Sequence, residues 1–252
     1  MRVVVIGGTG LIGSQVVENL QAKGHEAIAA SPASGVDATT GEGLAEVLKG
    51  ADVVVDVTNP PVFTPDSVLA FFTASGENLA EAERAAGVSH HIALSIVGAD
   101  RPEAFGFYMK GKLAQEALIR ESGVPFTIIR ATQFFEFFKG MADAAASGDE
   151  VRLTSKTLQP VAAAEVAAYV TEVALSAPAN GIVEIAGPER IPLADGVRRR
   201  LEALGDARTV VKDDSAPYFG GVIGDDTLVP RNETYRRATT TYADWLAALA
   251  KA

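Results

Sequence analysis

Residues 3–13 read VVVIGGTGLIG, an unbroken apolar run that ends on three glycines spaced G-x-x-G-x-x-G and passes into a helix-period segment. A strand, a glycine loop and a helix in this order place backbone N–H groups and a helix N-terminus where a pyrophosphate can sit. The loop residues concerned are Gly7, Thr9, Gly10, Leu11, Ile12 and Gly13. Apolar runs at 2–6, 26–30, 52–57, 91–95 and 125–129 alternate with helical patterns at 11–23, 41–49, 66–86 and 108–122. Continuous rather than alternating hydrophobicity marks strands covered on both faces, which is the habit of a parallel sheet. The expected fold is therefore α/β, a doubly wound parallel sheet (Rossmann) with a small C-terminal substrate lobe.

The nucleotide-binding core is expected over residues 1–130. Residues 131–252 are expected to add the remaining strands and a substrate-side lobe, interwoven with the core as one compact unit. After residue 130 the rhythm loosens into helical, strand and loop pieces, among them 161–175, 181–186, 193–204 and 242–250. After the second strand only about six residues separate it from Asp37, too few for a crossover helix. Residues 31–35 are thus read as a tight loop into a very short third strand, with Thr39 and Glu42 at capping-box spacing for the next helix.

Bulk properties remove whole classes of function. With no cysteine among 252 residues, disulfides, thiolate metal sites and a cysteine nucleophile are excluded. A net charge of -10 disfavours nucleic acid. Acidic breaks in the longest apolar stretch, at Glu165 and Glu172, disfavour a membrane span. His25, His90 and His91 lack metal-ligand spacing, so no metal is expected. No signal-peptide pattern opens the chain, and a cytoplasmic protein acting on a small-molecule substrate is the expectation.

A second motif carries chemistry. Tyr108 and Lys112 lie four residues apart, one turn on the same helix face, where an ammonium can favour the phenolate of its neighbour. A tyrosine so tuned can exchange a proton with a carbonyl or alcohol oxygen. Ser95, thirteen positions before Tyr108 at the end of a strand, is expected to point into the same cleft and bind the substrate oxygen. Past the strand at 52–57 come Thr58 and Asn59, candidate cofactor residues on the family resemblance that follows, with Asn59 opening a loop over 59–63. The second strand ends in Ser31 and Ser34 with neither a carboxylate to repel a 2'-phosphate nor a basic residue to attract one, a slight lean toward NADP(H) over NAD(H). Asp37 falls beside the adenine or serves as a turn residue. Phe63, Gln133, Phe134, Phe137 and Tyr218 are candidates for a substrate pocket, although aromatics at helical spacing also suit a core.

These fragments, together with DVVVDVT at 52–58, NLAEA at 78–82, GVSHHIALS at 87–95 and PFTIIRAT at 125–132, resemble the atypical short-chain dehydrogenase/reductase superfamily, in its NmrA-like NAD(P)H-binding branch. The resemblance implies that Gly7, Gly10 and Gly13 hold the pyrophosphate, Asp37 the adenine and Thr58 the cofactor. It implies chemistry by Ser95, Tyr108 and Lys112, with Lys112 also gripping the ribose. The activity implied is hydride transfer between NAD(P)H and a carbonyl, enone or quinone. A dinucleotide-binding redox sensor without turnover, and an epimerase or dehydratase, remain as alternatives. The asparagine of the superfamily's proton relay would fall near Phe72, a departure from the pattern.

Overall fold

A computed structural model describes residues 1–101, 106–231 and 233–250. In chain order the strands are β1 (Arg2–Ile6), β2 (Glu26–Ala30), β3 (Val53–Asp56), β4 (His90–Ile96), β5 (Phe126–Ala131), β6 (Ala146–Ser147), β7 (Glu150–Leu153), β8 (Thr157–Leu158), β9 (Gly181–Ala186), β10 (Ile191–Pro192), β11 (Thr209–Lys212) and β12 (Arg236–Arg237). The helices are α1 (Gly13–Ala22), α2 (Leu44–Val47), α3 (Pro65–Ala86), α4 (Phe107–Glu121), α5 (Phe138–Ala144), α6 (Ala163–Ala174), α7 (Leu193–Leu204) and α8 (Tyr242–Leu249). Seven strands form one sheet in the order β2-β1-β3-β4-β5-β9-β12, and every pairing in it is parallel.

The valine runs explain how both faces are covered. Successive side chains of a strand point to opposite faces, so Val3 and Val5 of β1 join Val53 and Val55 of β3 in one core, against Val16 and Leu20 of α1 and Val166 and Val170 of α6. Val4 and Ile6 join Val54 in a second core, against Leu44, Leu48 and Leu79. A third cluster, built on Phe135, Phe138 and Tyr242, belongs to the C-terminal lobe. That lobe carries the small sheets β11-β7-β6 and β10-β8, while β9 and β12 return to extend the main sheet.

The chain turns one way from β1 to β2 and the other way from β1 to β3, so the crevice that receives ligands opens beyond the carboxyl ends of β1 and β3. The helix over 66–86 is found as α3, with Thr64 as its N-cap, Pro65 in its first turn and Gly87 in the left-handed conformation at its end. The short third strand is not formed. Asp37 makes only an isolated bridge to Glu42. The helix expected over 41–49 shrinks to four residues with Gly43 as its N-cap, and the Thr39/Glu42 capping box is absent. The cause is local: Gly41 and Gly43 both adopt positive φ, and the Thr39 hydroxyl donates to Asp37 Oδ1 at 2.6 Å.

His90 and His91 point to opposite faces of β4. His90 Nε2 lies 2.9 Å from Thr127 Oγ1, and His91 Nδ1 lies 2.7 Å from Glu83 Oε1. Burial, then the charge of His91, depresses His90 from 6.5 to about 4. The unfolded chain therefore binds the extra proton within that window, and stability falls as pH drops through it, by at most about 3 kcal/mol. His91 moves the other way: burial disfavours its charge, but Glu83 prevails and raises it, so its contribution is present at low pH and is lost as pH rises. His90→Asn is expected to flatten the acid side of the stability profile, measured as urea midpoints between about pH 7 and about pH 4. A variant profile as steep as that of the parent protein would contradict this assignment.

Candidate active site

The glycine loop is shaped by close approach. A Cβ at Gly13 would lie 2.2 Å from Gly7 O, and Gly7 itself has φ +80 with its Cα packed on the Val57 carbonyl at the end of β3. At Gly10 a Cβ would meet nothing nearer than Gly7 O at 3.3 Å, so this side of the loop is open to a ligand. No side chain caps α1 at Ile12 and no acidic residue occupies its first turn. An uncapped helix N-terminus behind an open glycine turn fits a pyrophosphate. Thr9 and Leu11 are exposed on the loop, whereas Ile12 is buried in the core beneath it.

Ser31 is buried at the end of β2. Ser34 turns its hydroxyl inward, accepting from Ser31 N at 2.9 Å and donating to Ser31 O at 2.9 Å. Asp37 Oδ1 accepts from Thr39 N and Thr39 Oγ1, which hold its carboxyl below the usual range. Asn78 of α3 fixes the same loop by donating to the Ala38 and Thr39 carbonyls at 2.9 and 3.0 Å.

At the other rim of the crevice, Asp56 ends β3 as a buried carboxylate. Its Oδ1 accepts from Thr58 N and Thr58 Oγ1 at 3.0 and 2.6 Å, which sets the path of the loop toward Asn59. Its Oδ2 accepts from Gln115 Nε2 at 2.7 Å, and Gln115 Oε1 in turn accepts from Lys112 Nζ at 3.0 Å. Asp56 and Gln115 were not singled out from sequence. The available signals were a charge closing the run VVVD and an amide three residues from Lys112, on the same helix face.

Tyr108 stands where expected, in the first turn of α4, and donates from its hydroxyl to Asn59 Oδ1 at 2.9 Å. Phe63 stacks on its ring at 5.8 Å and Phe72 meets it edge-on at 6.1 Å. Asn59 lies just beyond the segment that packs on Gly7, so the phenol sits at the edge of the crevice.

Two expectations about its neighbours need correction. Lys112 does not lower the phenol's proton affinity; burial raises Tyr108 above the ordinary tyrosine value. The ammonium is drawn away, donating to Leu94 O at 2.9 Å and to Gln115, and lies 4.2 Å over the Phe72 ring. Its own burial lowers it to about 8 against the opposing pull of Asp56 and Glu116. Ser95, for its part, does not face the phenol. It is 5% exposed and donates to Glu116 Oε1 at 2.7 Å. Glu116 is paired with Arg130 through both carboxylate oxygens, at 2.9 and 2.8 Å. Ser95 is held by a buried carboxylate one turn beyond Lys112, a neighbour that single-residue motif reading passes over.

Among the pocket candidates, Phe63 flanks Tyr108 as described. Phe134 is buried in the core and pairs with the exposed Phe137 at 5.2 Å. Tyr218 is buried at the base of a two-residue turn: Tyr218 and Gly221 exchange backbone hydrogen bonds, with Phe219 and Gly220 at positive φ between them. This turn rests on the start of α4, where a Cβ on Gly106 would lie 2.5 Å from Phe219 O. Gln133, two residues past β5, is buried. The described residues contain no cluster fit to hold a metal ion and no helix long and apolar enough to cross a membrane.

The sequence pattern of a family described as NAD(P)H-binding matches residues 7–177. The chain belongs to this family. A (4-alkanoyl-5-oxo-2,5-dihydrofuran-3-yl)methyl phosphate reductase of Streptomyces griseus is 32% identical over 144 residues, covering 52% of this chain and 48% of that one. A chloroplastic divinyl chlorophyllide a 8-vinyl-reductase of Oryza sativa is 26% identical over 230 residues, covering 77% of this chain and 56% of that one. The chain spans about half the length of these curated relatives. In fold it is similar to an NADPH-dependent quinone oxidoreductase of Escherichia coli solved with NADPH, with a TM-score of 0.72 at 20% identity, covering 98% of this chain and 99% of that one. The NAD(P)H-binding family thus accounts for the open glycine loop and the uncapped α1, and its relatives are reductases.

Proposed function

We propose that the protein is a reductase that uses NAD(P)H to reduce a conjugated carbonyl compound, an enone or a quinone, with Tyr108 as the proton donor. The observation that carries this reading is the Tyr108 hydroxyl, held on Asn59 at the rim of the nucleotide crevice. The two curated relatives support the substrate class, since a vinyl group and an oxo-dihydrofuran are both unsaturated carbon frameworks. An apolar rim supports it too: Val62, Phe63, Phe219 and Val222 are all exposed, and Phe63 and the turn carrying Phe219 border Tyr108 or the start of α4.

When bound, a reduced nicotinamide supplies a hydride. The chain's residues do the rest. Gly7, Gly10, Gly13 and the N-terminus of α1 would hold the pyrophosphate, and Thr58 and Asn59 would flank the cofactor beyond β3. As hydride reaches the substrate carbon, the displaced π electrons collect on the conjugated oxygen, and Tyr108 transfers its hydroxyl proton to the reduced product. Burial keeps Tyr108 protonated near neutral pH, which suits a donor and hence the direction of reduction. Lys112 is a positioning residue: bonded to Leu94 O and Gln115, it lies over the ring of Phe72, which meets the Tyr108 ring edge-on. The absence of a carboxylate at Ser31 and Ser34 leans the preference toward NADP(H).

The test is oxidation of NADPH and of NADH, followed by nicotinamide absorbance, with a panel of quinones and enones. Turnover with at least one acceptor is expected, with NADPH modestly preferred. The withdrawal of Ser95 into the interior favours the alternative of a dinucleotide-binding sensor in one respect. That alternative requires no turnover with any acceptor and a clear difference in affinity between oxidised and reduced cofactor.

A further inference from the structure

His91 is 4% exposed, and its Nε2 has no hydrogen-bond partner among the described residues. Its other nitrogen is engaged, with Nδ1 lying 2.7 Å from Glu83 Oε1. Beside this pair, between β3, β4, α3 and α4, is a small cavity whose polar lining is Asp56, Glu83, His91, Gln115 and Ser122. It offers about 10 Å³ to a water-sized sphere, room for one molecule. A water held by two to four polar groups in such a space is a fixed part of a protein's structure.

The charges around the cavity indicate what the imidazole serves. Val54 and Asp56 of β3 pair with His91 and Ala93 of β4 in parallel register, so Asp56 and His91 share one face of the sheet. Asp56 and Glu83 are each only 1% exposed. The groups that donate to Asp56 are neutral: Thr58 N and Thr58 Oγ1 meet Oδ1, and Gln115 Nε2 meets Oδ2, which keeps capacity for a further donor. From α4, Lys112 reaches Asp56 through Gln115, while Glu116 is taken up by Arg130. From α3, Arg84 donates to the Ser122 carbonyl at 3.0 Å. One ammonium, on Lys112, thus faces two buried carboxylates, a costly arrangement until a second cation joins it. An imidazolium drawn up by Glu83 and then by Asp56, against its burial, supplies that cation.

We infer that His91 is a positioning residue for the cofactor loop: its Nε2–H donates to a single water in this cavity, and the water donates to Asp56 Oδ2, whose partner oxygen sets the course of Thr58 and Asn59. A water bridge of this kind is nearly as favourable as a direct hydrogen bond. The cofactor side of the assignment rests on the proposed reading of Thr58 and Asn59, whereas the bridge itself does not.

Nuclear magnetic resonance of the ¹⁵N-labelled protein reads the ring directly. At about pH 7.5, where an ordinary imidazole has lost most of its second proton, both His91 nitrogens are expected to be protonated, with an Overhauser contact between Hε2 and a bound water. Asp56→Asn removes the far charge and lowers the His91 midpoint by about one pH unit. Fluorescence titration of NADPH tests the positioning. An asparagine amide reaches about as far as Nδ1 and can still meet Glu83, whereas a glutamine amide reaches as far as Nε2 and the cavity. His91→Asn therefore weakens NADPH binding by about tenfold, the worth of one lost hydrogen bond, and His91→Gln stays within about threefold of the parent. A merely structural histidine would lower the urea midpoint of both variants and leave NADPH affinity alone. The inference is overturned by a neutral Nε2 in the parent protein, by a His91 midpoint indifferent to Asp56→Asn, or by unchanged NADPH affinity in His91→Asn. A protonated ring in a protein that binds no NADPH would instead sink the reductase reading and the positioning role with it, leaving the bridge.

Discussion

Tyr108→Phe is expected to lower kcat with a quinone or enone acceptor by about 10²- to 10⁴-fold, the span typical of a lost general acid, while leaving NADPH affinity unchanged. The substitution removes one oxygen and keeps the ring, so the stacking with Phe63 and the edge contact with Phe72 survive. It also frees Asn59 Oδ1, which is exposed and can turn to water at little cost. The glycine loop and the N-terminus of α1 touch none of these atoms. Fluorescence titration of NADPH should thus give the parent dissociation constant, and steady-state rates should give the loss. A variant that retains more than a tenth of the parent rate would remove Tyr108 from the chemistry. A variant that loses cofactor affinity in proportion would make it a binding residue.

The architecture was open to reading because it is written in short-range patterns. The runs at 2–6 and 52–57 show strands buried on both faces. Thr64, Pro65 and Gly87 punctuate α3, and the glycines at 7 and 13 mark a loop whose close approach leaves little room for a side chain. Where the reading failed, a local pattern met a local veto or a distant partner. Thr39 and Glu42 had capping spacing, but the positive φ of Gly41 and Gly43 broke the helix between them. The phenol was placed correctly because Tyr108 needs only the start of a helix at the carboxyl end of the sheet. Its expected partners were not, because the orientation of Ser95 and Lys112 is decided by Glu116, Gln115 and Asp56, whose burial follows from how α4 docks on β3, β4 and β5. No spacing within a single segment reports that docking.

The buried group at the centre of this interface makes the second large prediction. Glu116 is fully buried and gathers Ser95, Arg130 and the half-exposed Arg120 around one carboxylate. Burial alone would raise the Glu116 carboxyl, but hydrogen bonds and charge from Arg130 hold it below its usual value, so it is ionised. Glu116→Gln keeps the volume and removes the charge, leaving the Arg130 guanidinium with Asp100, 3.6 Å away and partly in water, and the more distant charge of Glu184. A buried pair broken from one side costs about 3–5 kcal/mol, whereas the surface contact with Arg120 adds little. Urea denaturation should show this loss as a lower midpoint at unchanged slope. Ser95→Ala removes a single hydrogen bond to the same carboxylate, and about 1–2 kcal/mol is the expected cost. It should leave kcat within about threefold of the parent value, since this hydroxyl faces the interior and the acid is elsewhere. If instead Ser95→Ala silences turnover at unaltered stability, the serine reaches the substrate after all, and the buried carboxylate serves to aim it. If Glu116→Gln unfolds no earlier than the parent, Arg130 has found another counter-charge, and Asp100 or the half-buried Glu184 across β5 and β9 is the one placed to supply it.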